Sequence, residues 1–160
     1  MTPPAIRPAT PEDAAAVAEI WRDGWRDGHL GLVPESLVAV RTDESFLTRA
    51  ADRVADTTVA LVDDEVAGFI MVVGDEAEQV YVSSGHRGSG VADALLTEAE
   101  RQIRENGHQV AWLAVVDGNV RARAFYERKG WRDDGGFNYR AAVEDGSTVA
   151  VPCRRYVKAL

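Results

Sequence analysis

The chain has 160 residues, with 18 Lys+Arg against 26 Asp+Glu and a formal net charge of −8. That length fits a single domain over residues 1–160 whose core needs no disulfide or metal staple. The lone cysteine, Cys153, forms no internal bridge, and no Cys/His cluster stands at metal-ligand spacing. The acidic balance argues against nucleic-acid binding, and no apolar run approaches the ~18 residues of a membrane span. Met1-Thr2-Pro3-Pro4 opens no secretion signal, so a cytoplasmic protein without membrane attachment is expected.

Taken in order, residues 5–9 form a short strand candidate. Thr10-Pro11-Glu12-Asp13 has the pattern of a helix start, with a capping hydroxyl, Pro at the first position and acids at the positive dipole end. That helix is expected to reach about Trp25. A second helix, 42–53, opens on the similar Thr42-Asp43-Glu44. The β-branched runs 57–62 and 66–73 flank Asp63-Asp64-Glu65 as a hairpin, and 76–82 is a third strand. Apolar spacing turns helical over 90–106 (Val91, Leu95, Leu96, Ala99, Ile103), with Gly107 as the stop. Residues 110–116 read as a buried strand, 119–129 as a short helix closed by Gly130, and 131–143 and 147–160 as two strands joined at Glu144-Asp145-Gly146. Hairpins followed by a strand–helix–strand crossover predict a mixed α/β sheet.

The segment richest in chemistry is Val80-Tyr81-Val82-Ser83-Ser84-Gly85-His86-Arg87-Gly88-Ser89-Gly90-Val91-Ala92. It runs from a strand through a glycine-rich turn into the long helix. Glycines there let backbone approach a ligand, and the free N–H groups of a first helical turn attract anions. A nucleoside-triphosphate loop needs Lys-Ser/Thr where Val91-Ala92 stand. A dinucleotide fingerprint needs Gly or Ala where Asp93 stands. Both common nucleotide patterns fail, leaving a phosphate cradle of another kind or simply a tight turn.

Here the sequence resembles the GNAT superfamily of N-acetyltransferases. Arg87-Gly88-Ser89-Gly90-Val91-Ala92 is similar to its acetyl-CoA motif, and Val80-Tyr81-Val82 to the strand end before it. Downstream, Asn119, Ala122, Tyr126, Gly130 and Trp131 fall at the spacing of a second motif, with Trp131 where Phe is usual. The resemblance implies one GNAT-like domain: a mostly antiparallel sheet whose parallel pair splays to admit the pantetheine arm, flanked by helices. It implies acetyl-CoA as co-substrate, no metal, and a primary amine of a small molecule or peptide as acceptor. Val80 and Val82 would then offer main-chain groups to pantetheine. Arg87, Gly88, Ser89, Gly90, Val91 and Ala92 would hold the diphosphate, and Asn119 would meet the cofactor from the other wall. Asp93, where relatives often carry a basic or small residue, would weaken the cradle.

Making an amide from a thioester requires a neutral amine, a stabilised oxyanion and a proton for the departing thiolate. Tyr126, a phenol protonated at neutral pH, stands at the family's acid position; the alternative is an aromatic core pair with Phe125. The resemblance puts the base at Glu76, with Glu78 on the same face of a regular strand, and both also read as solvated strand-end carboxylates. Arg121, Arg123, Arg128 and Lys129 make a basic cluster suited to phosphates, or a solvated helix face. Trp21, Trp25 and His29 recur every four residues, either as core tryptophans with a surface histidine or as an aromatic wall holding the acceptor's ammonium by cation–π contact. Overall acidity mildly favours a cationic acceptor. His108 and Cys153 belong to no constellation. An acyl-CoA sensor without chemistry is the alternative class, disfavoured because a pure binder needs neither Tyr126 nor Glu76. Residues 149–157 read as an edge strand, which invites a homodimer.

Overall fold

The computed structural model describes residues 3–143 and 145–160. Met1 and Thr2 of the N-terminal pattern, and Glu144 of the last predicted turn, lie outside them. Seven strands form one sheet in the order β1-β2-β3-β4-β5-β7-β6. They are β1 (Ala5–Pro8), β2 (Thr57–Val62), β3 (Glu65–Val73), β4 (Glu76–Val82), β5 (Val110–Val116), β6 (Arg132–Ala142) and β7 (Thr148–Ala159). Five helices cover it: α1 (Ala14–His29), α2 (Glu35–Val40), α3 (Asp43–Asp52), α4 (Val91–Glu105) and α5 (Val120–Arg128). All neighbours are antiparallel except β4 and β5. No helix among the described residues is long and apolar enough to cross a membrane.

Side chains alternate across the pleat, so consecutive residues of β3 enter different cores. Phe69 and Met71 pack with Trp21, Trp25, Leu37 and Phe46 of α1–α3. Ile70 and Val72 pack with Val91, Leu95, Leu96, Ala99 and Ile103 of α4. Asp63 and Asp64 of the β2–β3 turn both take positive φ, 51° and 63°, as a tight hairpin requires.

The chain departs from the sequence reading in four places. First, α1 runs on to His29, four residues past the expected end, because Trp25 and Gly28 remain buried and keep the apolar stripe going. Second, α2 forms from Glu35–Val40, a stretch with little periodicity, and it holds by inserting Leu37, 1% exposed, into the core. Third, β7 is no edge: β5 and β6 flank it on either side, and β6 and β1 are the outer strands. The apolar run 149–157 lies between two partners and offers no free edge through which a second copy could pair. Fourth, β4 is irregular. Met71 pairs with Gln79 but Val72 with Ala77, so Glu78 is an extra residue bulging from the ladder.

Candidate active site

The site opens where β4 and β5 part. Their only registered pair is Glu76 opposite Trp112, held by the Trp112 N–H donating to Asp75 O at 3.0 Å. Beyond it the strands diverge. The Ser83 N–H is turned towards β3, donating to Ala67 O at 2.8 Å; since strand polar groups alternate sides, those of Val82 and Val80 face the gap. Ala114 on β5 does the same, two residues after Trp112.

Two cavities meet at this gap. The larger, about 850 Å³, is lined by Val80, Val82, His86, Arg87, Gly88, Gly90, Ala92, Asn119 and the α5 cations Arg121, Arg128 and Lys129, within the ~300–1,000 Å³ usual for ligand sites. The smaller, about 460 Å³, lies on the α1–α3 side. Val80, Tyr81 and Tyr126 line both. This seam is where groups held in the two cavities would come into contact.

The larger cavity has the character of an anion cradle. Gly88 and Gly90 take φ of +78° and +87° with open space beyond their Cα atoms, a conformation that costs little only for glycine. Gly90 caps α4 with no side chain, and the first helical bond runs from the Ala94 N–H to Gly90 O. The amides of the first turn are thereby left for a ligand, at the positive end of a 15-residue helix. Two carboxylates already sit on the cations: Arg87 Nη2 donates to Asp27 Oδ2 at 2.7 Å and Lys129 Nζ to Asp93 Oδ2 at 2.8 Å.

Not every predicted cradle residue faces this cavity. The Val91 side chain is core, 1% exposed, and the Ser89 hydroxyl donates to His86 O. Arg123 turns away to Tyr156, Asp133 and Asp117 O. Asn119 lines the wall while its Oδ1 accepts from the Ala122 N–H at 3.2 Å and caps α5. Opposite it α1 contributes Gly24, Asp27 and Gly28, which the sequence reading missed. A Cβ on Gly24 would stand 2.4 Å from the Tyr81 ring, and one on Gly28 2.8 Å from Asn119 Nδ2. The available signal was two glycines four residues apart inside a helix, each costing roughly 1 kcal/mol of propensity.

The smaller cavity collects the titratable groups. Tyr126 packs among Phe125, Trp131 and Tyr156, and burial raises its pKa above that of a free phenol. The bulge at Glu78 changes the parity of β4, so that Glu78 and Tyr81 line the same cavity. Glu78 is engaged by Arg53, whose Nη1 donates to it at 2.7 Å. Glu76 lies behind the wall and accepts from the Tyr139 hydroxyl at 3.1 Å. Burial, then the charge of Glu78, lifts the Glu76 pKa to about 7. Tyr139, absent from the sequence reading, reaches the site from β6.

Trp21, Trp25 and His29 all line this cavity, yet the tryptophan faces are taken. Trp21 is 0% exposed under the Arg49 guanidinium, 4.3 Å from its ring centroid. Trp25 stacks on His29 at 4.6 Å. The contact to an acceptor ammonium raised from the sequence therefore has no open indole face. His29 Nδ1 lies 2.8 Å from Trp25 O, and burial lowers the His29 pKa to about 4. Cys153 is buried in the same wall, its thiol pushed up to about 11 by desolvation. His108 is exposed and remote from both cavities.

A profile of the acetyltransferase (GNAT) family matches residues 15–131, which contain both motifs and the splayed strand. The chain belongs to this family. An uncharacterized N-acetyltransferase of Mycobacterium bovis is 26% identical over 118 residues, covering 68% of this chain and 76% of that one. Among solved structures, a GCN5-related N-acetyltransferase of Rhodopseudomonas palustris superposes with a TM-score of 0.77 at 22% identity, covering 100% of this chain and 98% of the other. The PaiA N-acetyltransferase of Thermoplasma acidophilum, solved in complex with coenzyme A, gives 0.70 at 21% identity over 100% of both chains.

As a GNAT protein the chain is an acyltransferase, and a polyanion entering its larger cavity would compete with two carboxylates for the cations there. Asp27→Asn and Asp93→Asn are each expected to tighten coenzyme A binding by up to about fivefold, the upper end for an exposed ion pair. Calorimetric titration checks this; weakened binding in both variants would show that the carboxylates assist rather than compete.

Proposed function

We propose that the chain, as one domain over all 160 residues, transfers the acetyl group of acetyl-CoA to a primary amine of a small molecule or peptide by direct attack. The observation that carries this reading is the seam: one cavity with a phosphate cradle and one with buried acid–base groups join at Val80, Tyr81 and Tyr126. Acetyl-CoA would place its diphosphate on the amides and cations from Arg87 to Ala92, with Lys129 nearby, and its pantetheine arm along the main chain of Val80 and Val82. No cluster of three metal-ligating side chains occurs among the described residues, and the reaction proposed needs none.

In this proposal Glu76 takes the proton of the acceptor's ammonium. Because it lies behind the cavity wall, the transfer runs through a water molecule beside Tyr139. A base with a pKa near 7 is half ionised at neutral pH, which suits proton abstraction there. Glu78 is the poorer candidate because Arg53 already occupies its carboxylate at 2.7 Å. Backbone N–H groups facing the gap near Val82 stabilise the thioester oxygen as charge develops on it. Tyr126 then protonates the leaving thiolate. Burial keeps its hydroxyl protonated throughout the neutral range.

Removing that hydroxyl tests the acid. Tyr126→Phe is expected to keep its circular dichroism spectrum and lose about 100-fold or more in kcat, the scale of general acid catalysis. Unchanged turnover would remove Tyr126 from the mechanism.

The base has a pH signature. With Glu76 ionising at about 7, kcat/KM for an unhindered amine is expected to rise through that pH, and Glu76→Gln to abolish the limb. Stability gives an independent check. A carboxyl with a folded pKa above its ordinary 4.5 destabilises the fold progressively as pH climbs from 4.5 through 7. Glu76→Gln should therefore gain in Tm over the parent at pH 8 and not at pH 4. A limb that survives the substitution assigns the base elsewhere.

A further inference from the structure

The smaller cavity has a charge balance opposite to that of the chain. In a protein of net charge −8, it is lined by Arg41, Arg49, Arg53 and Arg140 against Asp52 and Glu78. Three of these cations are accounted for or remote. Arg53 is bound by Glu78 at 2.7 Å and Asp56 at 3.1 Å, Arg41 donates to Ala142 O at 2.5 Å, and Arg140 is exposed.

Arg49 is different. Its guanidinium lies 4.3 Å over the centroid of Trp21 and 5.9 Å from that of Phe46. Among the described residues it forms no ion pair, and its Nη1 is sealed into the protein without an acceptor. The residue itself lines the cavity. Desolvation, reinforced by the charge of Arg41, pulls its pKa to about 10, so it stays a cation at neutral pH while lacking the anion that normally accompanies a buried guanidinium. The fork is also pre-set: clamped on two aromatic rings, it loses little freedom on meeting a carboxylate. An acceptor with only positive charge would enter this cavity against Arg49.

Resting on the transfer reading above, we infer that the acceptor carries a carboxylate, or a comparable anion, besides its amine. The anion accepts from the Arg49 guanidinium at the Trp21 end of the cavity while the amine reaches the seam at Tyr126. The acceptor class is thus amino-acid-like: a free amino acid, or a short peptide whose acidic group lies near its reacting amine. Simple polyamines and other purely cationic amines lack the anion that Arg49 would hold.

The test pairs acceptors that differ in one group: free amino acids and dipeptides, each against its carboxamide. Turnover is followed by thiol release, and binding by calorimetry on the coenzyme A complex. The parent chain is expected to favour the carboxylate member by about 10- to 100-fold, the range for a hydrogen bond to a charged group. Arg49→Met, which keeps an apolar chain on Trp21, should bring that ratio towards one. Its coenzyme A-induced rise in Tm reports whether the variant is folded, and Arg49→Lys, which keeps the charge, should restore part of the preference. Equal use of both members by the parent, or a full preference persisting in Arg49→Met, overturns the inference and leaves amine transfer standing. Preferential binding of the carboxylate member without turnover supports the anion site and overturns the transfer reading. Neither binding nor turnover across the panel overturns both.

Discussion

The structure depends on one interrupted strand pairing. β4 and β5 are joined at Glu76 and Trp112 and nowhere beyond, so the middle of a seven-stranded sheet contains main-chain groups that have lost their ladder partners. Backbone polar groups away from water are almost always paired, and an interrupted ladder inside a sheet is stable only if something else satisfies it. An extended ligand with amide groups of its own fits that requirement. The bonds holding the gap open are equally specific: Asp75 caps the point of divergence through Trp112, whose indole Nε1 also donates to its carboxylate at 3.0 Å.

The surrounding elements serve this opening. α4 begins at the end of β4 after a turn in which glycines at positive φ leave the first amides unused. α5 supplies cations from the far side, and α1 comes close because Gly24 and Gly28 carry no side chain where Tyr81 and Asn119 lie. The bulge at Glu78 turns its carboxylate and the Tyr81 ring to the same cavity, which a regular strand would have sent to opposite sides. In the proposed reaction, affinity, alignment and acid–base chemistry rest on separate elements that meet at three residues.

Much of this was legible in the residues. The β-branched run 57–62 yielded β2 and the apolar run 110–116 yielded β5, both with their observed ends, and Arg87 to Ala92 marked the strand-to-helix turn because glycine spacing has a direct backbone meaning. The illegible parts are those set by tertiary partners. α2 depends on a single buried leucine, the inner position of β7 on a hairpin that folds back between β5 and β6, and the bulge on a register that local spacing does not encode. Charge misled most. The overall acidity mildly favoured a cationic acceptor, whereas the end of α2 and α3 bring Arg41, Arg49 and Arg53 to one wall. The apparent ligand wall of Trp21 and Trp25 is largely core, and the open cavity surface comes from residues with no sequence signature, Tyr139 and Arg49 among them.

The central claim is that the opened strand gap receives the thioester carrier on its main chain. Amide hydrogen exchange with and without acetyl-CoA measures this residue by residue. Slowed exchange at Val80, Val82 and the amides from Gly88 to Ala92, with β1 and β2 unchanged, is the predicted result. Saturating acetyl-CoA that protects another surface, and leaves Val82 and the start of α4 exchanging as before, would contradict the account.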